Sequence, residues 1–189
     1  MTPLAPGPDS PKGDWREWAK LARAELDWVS VSESIVQNLQ RWIVPDDCLT
    51  VLVFLPMSHE VNLVPLLEGD PTTRFVATRT PDRGELTVHE LGGPLEVHRF
   101  GFLQPHSSAA QATPDEIDIA LLPGLAFDLF GTRLGRGAGY FDRLLSSTRE
   151  DARRVGVVPA DLVVDRLPAD IHDIPVGYLA TEEGVIETA

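Results

Sequence analysis

Apolar residues follow two different periods along this chain. Leu49 to Leu55 is an unbroken apolar and β-branched run, the pattern of a central strand buried on both faces. Ile117 to Leu122 is a second run of that kind. Arg74 to Arg79, Glu85 to Leu91, Val155 to Val158, Leu162 to Val164 and Val176 to Ala180 read as further strands. Elsewhere the period is helical. Ile35, Val36, Leu39, Trp42 and Ile43 share one face, with Ser30 and Glu33 spaced as a capping box and Pro45 as the stop. Asp14 and Glu17 predict a first helix in the same way. Trp15, Trp18, Trp28 and Trp42 sit at helical spacings and read as packing residues. Val61 to Leu67 reads as a short helix despite Pro65, Gly101 to Pro114 as loop, and Tyr140 to Leu145 as the first turns of a helix. Strands alternating with helices predict α/β layers around a mostly parallel sheet, with ligands outside the carboxyl ends of the strands.

Composition narrows this to one core. With 189 residues, 43% of them hydrophobic, the chain suits a single domain, expected over 14–189. Residues 1–13 carry Pro3, Pro6, Pro8 and Pro11 without apolar periodicity and are expected to be a disordered lead. The single cysteine, Cys48, excludes an internal disulfide, fits a reducing compartment and reads as an inert packed thiol. No apolar run approaches the ~18 residues of a membrane span, and the N-terminus lacks a signal pattern. A formal charge of −13 argues against nucleic acid as a partner. Any anionic ligand must then meet a local positive field.

Residues Pro123 to Asp142 supply one. They read P-G-L-A-F-D-L-F-G-T-R-L-G-R-G-A-G-Y-F-D, between the Ile117–Leu122 run and the expected helix. Gly135, Gly137 and Gly139 alternate, which permits positive φ and close approach of an oxygen-rich ligand. Arg133, Arg136 and Arg143 surround them, and guanidinium groups bind phosphate in a forked geometry. Asp142 is a carboxylate suited to Mg²⁺, which takes only one or two from a protein. A P-loop is excluded because no Gly-Lys-Ser/Thr follows. A dinucleotide fingerprint is excluded because Tyr140 stands where a third small residue belongs. A purely structural glycine turn is the plain alternative.

The stretch resembles the signature of the 5-formyltetrahydrofolate cyclo-ligase (methenyltetrahydrofolate synthetase) family, P-G-x-A-F-D-x-x-G-x-R-L-G-x-G-x-G-Y-Y-D. It matches without a gap from Pro123 through Tyr140 and again at Asp142. Weaker similarity runs from about Trp15 to Ile186. The resemblance implies a NagB/RpiA/CoA-transferase-like α/β fold. It implies a cytoplasmic, monomeric enzyme that, with ATP and Mg²⁺, turns 5-formyltetrahydrofolate into 5,10-methenyltetrahydrofolate, ADP and phosphate. ATP contacts are then expected from Arg16, Lys20, Arg133, Leu134, Gly135, Arg136, Gly137, Ala138, Gly139, Tyr140 and Phe141. Folate contacts are expected from Leu55, Met57, Glu60, Arg136, Gly137, Ala138, Gly139 and Tyr140. Arg136 and Tyr140 are the expected catalytic residues, and Asp142 with Asp173 the magnesium ligands. Read from the residues alone, Met57 is as simply a core filler and Glu60 a solvated charge. Arg79 is a ligand contact or a surface arginine, Asp128 a turn cap or a holder of Arg133, and His59 an exposed loop residue.

The chain departs from the family in places. The family begins its first helix with K-x-x-L-R; here Arg16 is aligned with the Lys and Lys20 with the Arg. Phe141 replaces the second tyrosine, and Ala138 stands where some members carry Lys. These changes leave open a relative that binds folate or nucleotide without turnover.

Overall fold

The computed structural model describes residues 3–43, 49–69, 71–81 and 84–189; the Pro45 stop and Cys48 lie outside them. At the centre lie four parallel strands with apolar runs: β1 (Thr50–Val53), β2 (Arg74–Arg79), β7 (Ile119–Pro123) and β10 (Arg153–Val157). β12 (Tyr178–Thr181) extends the parallel set beyond β10. β3 (Thr87–Glu90) and β6 (Gln111–Ala112) continue the sheet antiparallel beyond β2, and β13 (Gly184–Glu187) closes the other edge. The order is β13-β12-β10-β7-β1-β2-β3-β6, so the mostly parallel layered sheet stands as expected.

Strand alternation places the core on both faces of the one central sheet. Val51, Val53, Ile119 and Leu121 pack with Ile35, Val36 and Leu39 of helix α2 (Trp28–Trp42). Leu52, Ala120 and Leu122 face the opposite side, against Trp15, Trp18 and Ala22 of helix α1 (Lys12–Ala24). Full burial of each such Leu, Ile or Val contributes roughly 1.5–3 kcal/mol. Trp15 and Trp18 are core, meeting edge-on at 5.6 Å.

Both helices begin before their expected caps. α1 starts at Lys12, after Pro11, whose φ of −57° is already helical, which places Asp14 inside the first turn. α2 is capped by Asp27, whose carboxylate accepts from the backbone N–H of Val29 and Ser30 at 3.2 and 3.3 Å; Ser30 lies within the helix. The proline-rich lead is anchored in part: Trp18 Nε1 donates to the Pro3 carbonyl at 2.8 Å, and Ala5 packs on the α1 side of the core. The expected helix over 61–67 is a 3-10 turn, Val64–Glu68, begun by Pro65.

Two small sheets were not anticipated. β4 (Leu95–Val97) and β5 (Leu103–Pro105) form a hairpin, the second strand lying inside the expected 101–114 loop. β8 (Ala126–Asp128), β9 (Arg133–Leu134) and β11 (Val163–Val164) form a three-stranded sheet within and beside the glycine-rich motif. The strand feeding the glycines is therefore β9, not the sheet strand β7. Asp128 is the cap of the intervening turn. One carboxylate oxygen accepts from Phe130 and Thr132, the other from Leu167, and Arg133 is held elsewhere.

Candidate active site

β1, β2 and β7 end on the same side of the sheet, and a cavity of about 620 Å³ opens there. Its walls come from distant parts of the chain. β1 leads into Phe54, Leu55, Met57 and Glu60, and β7 into Pro123, Gly124 and Leu125. The glycine turn contributes Gly135 to Gly139, followed by Tyr140, Phe141 and Asp142. α1 contributes Lys12 and Arg16, and the loop before β12 contributes Asp170 and Asp173.

The turn is built as its glycines require. Gly137 and Gly139 have φ of +102° and +63°, the region where a Cβ is strained. Helix α3 (Tyr140–Leu145) spans only 6 residues, so its dipole is short and the positive field rests chiefly on side chains. Arg16 Nε donates to the Gly135 carbonyl at 3.0 Å and fixes α1 against the turn. Arg143 folds back onto the Ala138 carbonyl at 3.2 Å and covers the Tyr140 ring.

Several charged groups of the cavity form ion pairs with one another. Arg133, its side chain only 7% exposed, meets both Asp142 oxygens at 2.9 and 3.0 Å and lies over the Phe141 ring. Arg136 Nη2 meets Glu60 Oε1 at 2.8 Å, and Glu60 Oε2 accepts from the Met57 N–H at 2.9 Å. Lys12 Nζ lies 2.6 Å from both Asp170 and Asp173. Burial alone would lower Lys12, but its bonds to the two carboxylates outweigh that and hold it above the ordinary lysine range. Asp170 is held below the carboxylate range, first by its hydrogen bond to Lys12. Lys12, Arg16, Arg99, Arg133 and Arg136 face Glu60, Asp142, Asp170 and Asp173, a local cationic excess in a chain of charge −13.

Most of the expected site residues converge here: Arg16, Leu55, Met57, Glu60, Arg133, Gly135 to Gly139, Tyr140, Phe141, Asp142 and Asp173. Two do not. Lys20 is exposed on α1 away from the cavity, and Leu134 has its side chain 1% exposed in the core. Lys12-x-x-Trp15-Arg16 also has the K-x-x-L-R spacing, with Trp15 at the apolar place, and both of its cations line the cavity. That signal was present in the sequence, inside a segment set aside as disordered. The β4–β5 hairpin adds His98, Arg99, Phe100 and Phe102 to the wall, residues no motif had marked. Arg79 is outside the cavity lining and is tied to Glu96 and to the Pro105 carbonyl.

Asp142 and Asp173 border one cavity and offer hard oxygen donors with lone pairs beyond those taken by Arg133 and Lys12. Among the described residues there is no group of three or more metal-ligating side chains. An all-protein cage is therefore not on offer there, whereas a carboxylate pair suits Mg²⁺ completed by phosphate oxygens. Among the same residues no helix is long and apolar enough to cross a membrane.

Comparison with known proteins agrees with this geometry. The family model of the 5-formyltetrahydrofolate cyclo-ligases matches residues 17–182. The 5-formyltetrahydrofolate cyclo-ligase of Mycolicibacterium smegmatis is 38% identical over 169 residues, covering 83% of this chain and 87% of that protein. The solution structure of a 5,10-methenyltetrahydrofolate synthetase from Aquifex aeolicus superposes with a TM-score of 0.79 at 32% identity, over 93% of this chain and 92% of the other. A Mycoplasma pneumoniae synthetase shares the fold, with a TM-score of 0.75 at 21% identity over 92% of this chain and 99% of the other.

Proposed function

The chain belongs to the 5-formyltetrahydrofolate cyclo-ligase family, and from that premise we propose that it converts 5-formyltetrahydrofolate and ATP, with Mg²⁺, into 5,10-methenyltetrahydrofolate, ADP and phosphate. One observation carries the reading. The phosphate-type surface of the glycine turn and the pterin-type surface after β1 border a single cavity, and Arg136 bridges them through Glu60. Its volume is in the range of small-molecule sites.

Glu60 is suited to the pterin edge, where adjacent N–H donors meet a carboxylate, with Leu55 and Met57 against the ring faces. Lys12, Arg16, Arg133, Arg136 and the backbone of 135–139 are suited to the phosphates. Asp142 and Asp173 would hold Mg²⁺, which when bound supplies charge neutralisation to the nucleotide. The N5-formyl oxygen attacks the γ-phosphorus; the new P–O bond forms as the bond to ADP breaks. N10 then attacks the activated formyl carbon and loses its proton to solvent. The C–O bond breaks, and phosphate departs carrying the former formyl oxygen. The protein supplies placement and charge stabilisation, with Tyr140 positioning the reactants.

The test is growth of the methenyl chromophore by purified protein with Mg-ATP and 5-formyltetrahydrofolate. Dependence on both substrates supports the reading. Folate binding by calorimetry without product would favour the non-catalytic binder.

A further inference from the structure

A buried cation lies behind the folate wall and takes no part in the steps above. Arg23 of α1 is 5% exposed, and among the described residues no carboxylate is within ion-pair distance of it. Its guanidinium is satisfied by backbone carbonyls alone. Nη1 donates to Gly124 and Leu125 at 3.1 and 3.2 Å, and Nη2 donates to His59. Burying a guanidinium without an anion is costly, so packing alone is poorly served by arginine here. Desolvation pulls it down to about 10, with Glu60 opposing that fall and Arg136 adding to it.

The three carbonyls belong to two loops, one after β1 and one after β7, and both line the cavity. The first carries an uncommon conformation. His59 has φ of +59°, the only non-glycine residue at positive φ among those described, and it immediately precedes Glu60. Such a conformation is strained for a residue with a Cβ and persists only when its surroundings over-determine it. Arg23 and Trp28 do so together. The His59 ring stacks on Trp28 at 6.3 Å, and the Arg23 guanidinium lies 4.8 Å from the Trp28 ring centroid. Trp28 Nε1 also donates to the Arg23 carbonyl at 2.9 Å. On the second loop, a Cβ at Gly124 would stand 2.5 Å from the Phe127 ring, so this carbonyl approaches Arg23 only because residue 124 is glycine. A lysine could not serve both loops, because the donors must point two ways from a rigid plane.

We propose that Arg23 is a positioning residue: by holding the carbonyls of His59, Gly124 and Leu125 it fixes the loop that presents Glu60, and so sets affinity for the folate rather than for the nucleotide. This rests on Glu60 being the pterin contact of the preceding subsection. Arg23 does not touch the reactants; it acts through Glu60.

The experiment is calorimetry of 5-formyltetrahydrofolate and, separately, of a magnesium complex of a non-hydrolysable ATP analogue. Both are titrated into the wild-type chain and the Arg23→Lys, Glu60→Gln and double variants. Arg23→Lys is expected to weaken folate binding about tenfold, leave the nucleotide within about twofold, and add less than about twofold to Glu60→Gln, the non-additivity of a shared route. Equal weakening of both ligands, additive effects, or unchanged folate affinity overturns the proposal. His59→Gly provides a second arm if Arg23→Lys does not fold. It removes the stacked ring and makes the positive φ free of strain, so thermal stability should hold while folate affinity alone falls. Unchanged folate affinity in that variant also overturns the proposal. A wild-type chain that binds nucleotide but no folate refutes the functional reading itself, and the inference falls with it.

Discussion

Arg136 Nη2 stands 2.8 Å from Glu60 Oε1, tying the glycine turn to the loop after β1 across the cavity. The two partners are unequal: the Arg136 side chain is 52% exposed and that of Glu60 9%. The arginine can therefore turn toward a phosphate at little cost, while the carboxylate stays in place.

Arg136→Ala should lower kcat by about 10²–10³, the usual cost of removing one preorganised donor to developing charge. Solvent screens the half-exposed arginine and Glu60 keeps its bond from the Met57 N–H, so the melting temperature should fall only slightly. Normal turnover in the methenyl-forming assay would remove Arg136 from the mechanism.

The α1 register gives a paired test. Lys12→Met should raise KM for ATP about tenfold, as expected for one lost charge-assisted contact of ~1.5–3 kcal/mol. Lys20→Met should leave KM within about twofold, because Lys20 is exposed away from the cavity. Steady-state kinetics on the two variants decides between the registers.

Asp142→Asn leaves Arg133 buried without its carboxylate, and Arg133 Nε already has no acceptor. Breaking a fully buried pair costs ~3–5 kcal/mol; with Asp142 at 21% exposure the loss should lie near the lower end, about 3 kcal/mol in urea unfolding. The same variant should need more Mg²⁺ for half-maximal rate.

Acid should weaken the pair that Glu116 makes with Arg74. Glu116 is pulled down to about 2, first by its hydrogen bond to Arg74 and then by those from Thr113. Its folded value lies below its unfolded one, so its stabilisation is complete above the ordinary glutamate range and is lost as pH falls from about 4.5 toward 2. Glu116→Gln should flatten the fall of melting temperature across that window. An identical pH profile would show that the pair is too solvated to matter.

Several features were legible because they are local. The apolar runs at 49–55 and 117–122 marked strands that lie at the sheet centre, since burial on both faces leaves a nearly continuous hydrophobic signature, broken in the second only by Asp118. The glycine turn was legible because positive φ at Gly137 and Gly139 is a single-residue demand. The β4–β5 hairpin was not, because each strand has only 3 residues and its apolar Leu95, Val97 and Leu103 are exposed rather than turned to the core. β9 has 2 residues, too few for any period. Lys12 was missed because prolines nearby suggested a disordered lead, although Pro11 serves as the start of a helix.

By itself the sequence determined the family, the alternation of strands with helices and the chemistry of the 123–142 stretch, since each is written in neighbouring residues. Only the tertiary structure decided which charges meet. Glu60 and Arg136 lie 76 positions apart, and Lys12 and Asp173 161 apart. Their meeting depends on the order of strands that brings the ends of β1 and β7 side by side, beneath the start of α1. Coulomb attraction acts on distance in space, and separation along a chain carries no information about it until the sheet has formed.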